Sequence, residues 1–380
     1  MTPKLTLSRL LLFSLVLFIA LGQNALASIT WYVDGVHGSD THNGRSPAAA
    51  YKTIRYAISR SVSGDSIRVA SATYTENLSI GVNLTIVGAS AWTTIIDGGH
   101  SGTAVAITSA GAHVSLSQLT IRNGSGKTHG GGGIYNLGLL TITNGTISGN
   151  GSDDTVAAGG GLGGGIYNSG TLTVVQSSVT GNSVSRFRMG ASAFGGGIYN
   201  TGRLTLTNST VSANQAVDFW PAGVAYGGGI ATAGGTVAIN NGTISLNSAI
   251  IHTPVGSAGT FGGGIYNESG AATLQNSVVA NNTYGGNCNG SVASHGHNLS
   301  SDLTCHFNGA GDQSNNNPKL GALQNNGGFT KTMALLAGSP ATDAGNPSGC
   351  TDGNGHRLTV DQRGHSRPTI SACDIGAYNH

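Results

Sequence analysis

Gly163-Gly-Gly-Ile-Tyr-Asn168 decides how the rest of this chain is read. The same six residues recur at Gly195–Asn200 and Gly262–Asn267, with an extended copy, GGGGIYN, at 130–136 and a decayed one, GGGIAT, at 227–232. Aligned on their isoleucines, the five copies place Ile134, Ile166, Ile198, Ile230 and Ile265 at intervals of 32, 32, 32 and 35 residues. A fixed period of this length marks a solenoid, whose units bury their apolar faces only against one another. Within the units apolar and polar residues alternate, as in Leu140-Thr-Ile142, Leu172-Thr-Val174, Leu204-Thr-Leu206 and Val237-Ala-Ile239. That period of two specifies strands and not helices.

A further strand follows, with Ile147, Val179, Val211, Ile244 and Val279 inward once one residue is inserted in the last two units. Two polar columns stay in the same register: Asn144, Gln176, Asn208, Asn241 and Asn276, then Asn150, Asn182, Asn214, Asn247 and Asn282. Stacked amides bond from one coil to the next, and Asn tolerates the left-handed backbone of a tight corner. The twenty residues from Gly163 to Asn182 are enough for three short strands and their corners. The expected fold is therefore all-β, a right-handed parallel β-helix with coils about 4.8 Å apart. In it the triple glycine turns the backbone sharply and lets it pass close to the next coil. Gly159–Gly164 also fits the dinucleotide pattern G-x-G-x-x-G. That pattern needs a helix after it to aim amides at pyrophosphate, and no helical periodicity is present, so the glycines are read as corners.

Composition agrees: Gly is 63 of 380 residues and charged residues are 8%, far from an average globular chain, while 8 prolines and no three-residue period exclude collagen. Lys4 and Arg9 precede the twelve-residue apolar run Leu10–Leu21, and Ala25-Leu26-Ala27 supplies a small-x-small cleavage site. Residues 1–27 are read as a signal peptide, with no membrane helix after its removal. Without Lys4 and Arg9 there are 15 basic residues (17 less 2) against 15 acidic ones, so nucleic acid is not an expected partner. Cys288, Cys305, Cys350 and Cys373 all lie near the C-terminus of an exported chain. Two disulfides are expected, and sequence proximity pairs 288 with 305 and 350 with 373. Before the repeats, 53–62 reads as a short cap helix with Ile54, Ala57, Ile58 and Val62 on one face.

The segment from Trp31 to Ile80, WYVDGVHGSDTHNGRSPAAAYKTIRYAISRSVSGDSIRVASATYTENLSI, resembles the N-terminal part of the right-handed parallel β-helix superfamily that includes pectate-lyase-like proteins. The GGGIYN units are similar to the Gly-Gly-x-Ile repeats of polymorphic outer-membrane proteins. NNNPKLGALQNNGGFTKTMALLAGSPATDAGN and CTDGNGHRLTVDQRGHSRPTISACDIGAYNH resemble the choice-of-anchor Q domain of bacterial surface proteins. The resemblance implies a β-helix over 28–283 and a C-terminal region of last coils and a disulfide-stabilised cap over 284–380. Proteins of that group continue into a surface anchor, whereas this sequence stops at His380, so secretion or noncovalent surface association is expected.

Asp361, Arg363, Arg367 and Asp374 are read as charge-assisted hydrogen bonds that hold irregular loops. Cys288, His295, His297, Cys305 and His306 do not have structural-zinc spacing, and no metal is assigned. Between Gly130 and Thr283 the acids are Asp153, Asp154, Asp218 and Glu268, with His252 the only histidine. This is a thin supply for the paired carboxylates or the base and cation site of polysaccharide cleavage. A non-enzymatic, monomeric secreted or surface protein acting in adhesion or glycan and partner binding is expected. The alternative is a carbohydrate-active lyase or hydrolase, for which calcium is the possible cofactor. The segments 151–162, 183–194 and 215–226, twelve residues each, leave successive coils at one corner and are expected as loops on one side. They bring Asp154, Arg186 and Asp218 into equivalent positions, with Phe187, Phe219 and Trp220 beside them as flat apolar surfaces for sugar rings or a partner. Leu162, Phe194, Tyr226 and Phe261 are read as packing.

Overall fold

Ile134, Ile166, Ile198, Ile230 and Ile265 pair directly with one another in parallel register, as their alignment in the sequence requires. The computed structural model describes residues 28–127, 130–153, 161–188, 192–220, 223–252, 259–368 and 371–380. The proposed signal peptide lies outside them. Among the described residues the strands assort mainly into a 16-stranded and a 9-stranded parallel sheet that wrap a right-handed parallel β-helix. Each coil contributes a short strand such as Ile166–Asn168, a second such as Thr171–Val175, and a third such as Ser178–Thr180. Ile147, Val179, Val211, Ile244 and Val279 form the predicted inward column and are all buried. Each such aliphatic side chain contributes about 1.5–3 kcal/mol.

The triple glycine has two separate tasks. Gly163 adopts φ +63, and the equivalent Gly195, Gly227 and Gly262 adopt +65, +59 and +59. Gly165 has a different constraint, because a Cβ there would lie 2.6 Å from the carbonyl oxygen of Gly197 on the next coil. No larger residue fits without separating the coils.

The two amide columns behave differently. Asn150, Asn182, Asn214 and Asn247 point inward and form a ladder, each Nδ2 donating to the next Oδ1 at 2.9, 2.9, 2.9 and 3.0 Å, the last to Asn282. Asn144, Gln176, Asn208, Asn241 and Asn276 take the predicted left-handed corner, with φ from 46 to 53. Their side chains do not bond coil to coil as expected. Gln176, Asn208 and Asn241 donate instead to the carbonyls of Asp361, Val360 and Thr351. The C-terminal segment thus runs back along the solenoid, held by one corner amide per coil. The Asn of GGGIYN makes a second ladder, Asn136 to Asn168 to Asn200 at 2.7 Å each.

At the N-terminal end a helix spans Ile54–Arg60, and its first amides donate to the Glu76 carboxylate at 3.0 and 2.8 Å. Ile54 and Ala57 are buried on the first coil. Val62 does not join them: Ser61 already has extended backbone, and Val62 is 45% exposed. At the other end both expected disulfides are present, Cys288–Cys305 and Cys350–Cys373. The four charges of the C-terminal segment are buried together. Arg363 bonds Asp361 at 2.7 Å, and Arg367 donates to the Gly376 carbonyl at 2.6 Å. Burial pulls the Arg367 guanidinium down to about 10, against the opposing pull of Asp361 and Asp374.

Candidate functional site

The described parts of the three twelve-residue segments lie on one side of the solenoid, and they are strands, which corrects the expectation of loops. Gly151–Asp153, Ser183–Arg186, Gln215–Asp218 and Ser248–Ile251 stack as a parallel sheet, and Ser192–Phe194, Val224–Tyr226 and Gly259–Phe261 stack as another. Segments of equal length leaving successive coils satisfy their backbone groups against one another as the coils do. Together they form a flange with its own small core of Val184, Ala193, Ala216, Ala225 and Ala249.

Arg186 and Asp218 are partners in register within this flange, and both are buried. Asp218 accepts from the amides of Trp220 at 2.8 Å and Val224 at 3.2 Å. Gly161 and Gly223 leave the space these two side chains occupy. Asp154 lies outside the described residues. Beyond the buried pair the aromatic residues emerge: Phe187, Phe219 and Trp220 are 47%, 39% and 37% exposed. Phe187 stacks on Phe219 at 4.6 Å, and Phe219 on His252 at 4.5 Å. Stacked rings cover one another's faces and turn their edges outward. His252 completes this column, and the sequence held the signal: it stands five residues past Asn247, as Phe187 and Phe219 stand five past Asn182 and Asn214. On the other strand set Phe194, Tyr226 and Phe261 stack at 4.7 and 5.4 Å, the packing column expected for them. Leu162 bridges to Phe194 in the same line.

Between the flange and the nine-stranded sheet lies an open groove of about 440 Å³. Its lining includes His100, Ser125, Lys127, Asp153, Ser183 and Phe187, with glycine backbone between them. His100, Ser125 and Lys127 come from coils before the GGGIYN repeats, where the 32-residue period does not yet run. Without that period there is no register by which to align them with Phe187. Among the described residues the groove offers hydroxyls, exposed backbone, one ammonium, one carboxylate and an aromatic wall, a set suited to hydrogen-bonding a sugar and packing against it. The polar groups converge from four successive coils.

No family model matches the chain, and no curated protein matches it. Among solved structures it is similar to pectate lyase Pel9A, with a TM-score of 0.52 and 15% identity over 92% of this chain and 96% of that one. It also aligns with pectin methylesterase PemA from Erwinia chrysanthemi, at a TM-score of 0.37 and 14% identity over 74% of this chain and 81% of that one. The first likeness shows the pectate-lyase-like β-helix fold.

Proposed function

We propose that this chain is a secreted or surface-held, monomeric glycan-binding β-helix whose ligand lies in the groove beside the flange. The observation that carries this reading is the groove itself, where Phe187, Gly149 and Gly181 are exposed and Ser183 and Ser185 are half-buried on a rigid stack. Recognition groups on a rigid scaffold lose little conformational freedom on binding. Phe219 and Trp220, exposed at the flange tip, extend the same surface. Arg186 and Asp218 act from within by holding the tip strands. The resemblance of 284–380 to choice-of-anchor Q domains supports a surface location, and two disulfides are consistent with an oxidising compartment.

A second reading rests on Asp153, His100 and Lys127 lining one groove, which places a carboxylate, an imidazole and an ammonium together. In a fold shared with a pectate lyase, this constellation supports lyase or hydrolase action, with calcium as the added ion. One experiment separates the two: incubation with a panel of polysaccharides, with and without calcium, followed by assay of bound protein, reducing ends and unsaturated uronides. Retention without new ends supports the binding protein. New ends that vanish in Asp153→Asn overturn it in favour of the enzyme.

A further inference from the structure

A second pocket lies next to the groove. Ser148 and Thr180, on the outer face of the nine-stranded sheet, immediately precede Gly149 and Gly181 of the groove, and they line this pocket of about 230 Å³. Its other walls include Trp92, Arg122, Thr146 and Lys331. Trp92 is 40% exposed, and its indole N–H donates to the Gly328 carbonyl at 3.1 Å, which draws the C-terminal segment against the coils. Lys331, three residues further on, makes no side-chain hydrogen bond or ion pair among the described residues. Arg122 spends its Nε on Asp97 at 2.9 Å and is fixed by that bond, while its side chain stays 41% exposed. Thr146 and Ser148 lie on one strand, and Thr180 pairs with Ser148 on the next coil, so three hydroxyl residues line the pocket.

Among the described residues, Arg122, Lys127 and Lys331 line the two pockets together with the carboxylate of Asp153. Asp97, just outside, is committed to Arg122. Its carboxyl is held below the ordinary range because hydrogen bonds from Gly99, Arg122 and Asn123 outweigh the upward push of burial. An indole face, a row of hydroxyls and two guanidinium or ammonium groups fit a sugar ring that carries an anionic substituent.

We propose that this pocket is a charge-reading subsite continuous with the groove, so that the ligand is an oligosaccharide bearing carboxylate or sulfate groups. One of its walls is supplied by the C-terminal segment. The inference rests on the glycan-binding reading of the groove and adds the ligand's charge and the residues that read it. Loss of Lys331 removes an exposed cation whose side chain makes no hydrogen bond or ion pair among the described residues, so the fold is left intact.

The test is titration of the full chain with three oligosaccharides of equal length: a galacturonate oligomer, a sulfated oligomer and a neutral glucan. The expected result is that one charged oligomer binds at least about tenfold more tightly than the neutral one, the scale of one hydrogen bond to a charged group. Which of the two it is identifies the anion. Lys331→Ala should erase that preference and its salt dependence, and Lys331→Arg should keep both. Phe187→Ala should weaken all binding equally. A charge preference that survives in Lys331→Ala, or no preference in the intact chain, overturns the subsite while leaving the groove standing. Failure of all three ligands overturns both.

Discussion

Val179 sits between Ile147 and Val211 in the coil interior with no exposed surface, whereas Thr173 on the preceding strand faces outward. Val179→Asp buries an unpaired carboxylate and should cost about 3 kcal/mol or more. Thr173→Asp should stay within about 0.5 kcal/mol. Urea melts of the two variants check this pair. The contrast was legible in the sequence, because the alternation that assigns inward and outward positions is a covalent property of a strand. The two amide columns were only half legible. Residue type marked both as corners, but it did not say on which side of the chain each side chain leaves. Asn182 turns into the coil and meets Asn214, while Gln176 turns out and meets Asp361, 185 residues away.

At the scale of elements, the N-terminal coil is joined to its cap through Asp65. This buried carboxylate accepts from the Ile29 amide at 2.8 Å, the Trp31 indole at 2.9 Å and the Val62 amide at 3.0 Å. Burial alone would raise its pKa, but these bonds outweigh burial and hold it below the ordinary carboxylate value. A depressed folded pKa gives stability that is fully present above the unfolded value of about 3.9 and is lost as pH falls through the folded value. Thermal melts from neutral pH down to about pH 3 should therefore show a falling midpoint at the acid end. In Asp65→Asn the midpoint should be lower at neutral pH and fall less with acid. An Asp65→Asn profile parallel to that of the parent would assign the acid loss elsewhere. The flange shows why some elements escape sequence reading. Its strands, such as Ser183–Arg186, are short and carry Ser, Ala and Val, so their alternation is weak, and their order comes from stacking on equal neighbours. The early coils that supply His100 and Lys127 escaped for the opposite reason: their strands are clear, but their loops have no common length.

Across the whole molecule, the C-terminal segment binds the solenoid along its length as well as at its end. Apolar contact is concentrated at the last coils, where Leu335, Ala341 and Ile375 pack on Val278, Ala280 and Leu299. Further back the attachment is polar, through Gln176, Asn208 and Asn241. Non-reducing peptide mapping should return Cys288 with Cys305 and Cys350 with Cys373 and no cross-pair, since the first pair closes the last coil and the second ties the returning segment to itself. The fold explains what a polysaccharide would meet: a rigid stack, an aromatic-walled groove and a hydroxyl-lined face beside it. The central claim is that the groove binds a glycan through Phe187 and the flange tip. The most direct measurement is the binding isotherm of the retained polysaccharide for the intact chain and for Phe187→Ala with Trp220→Ala, each with its melting midpoint. Arg186 is left in place because it is buried and its loss would perturb the fold. The account predicts at least about tenfold weaker binding with a nearly unchanged midpoint. Equal affinity in a double variant that melts like the parent would contradict it.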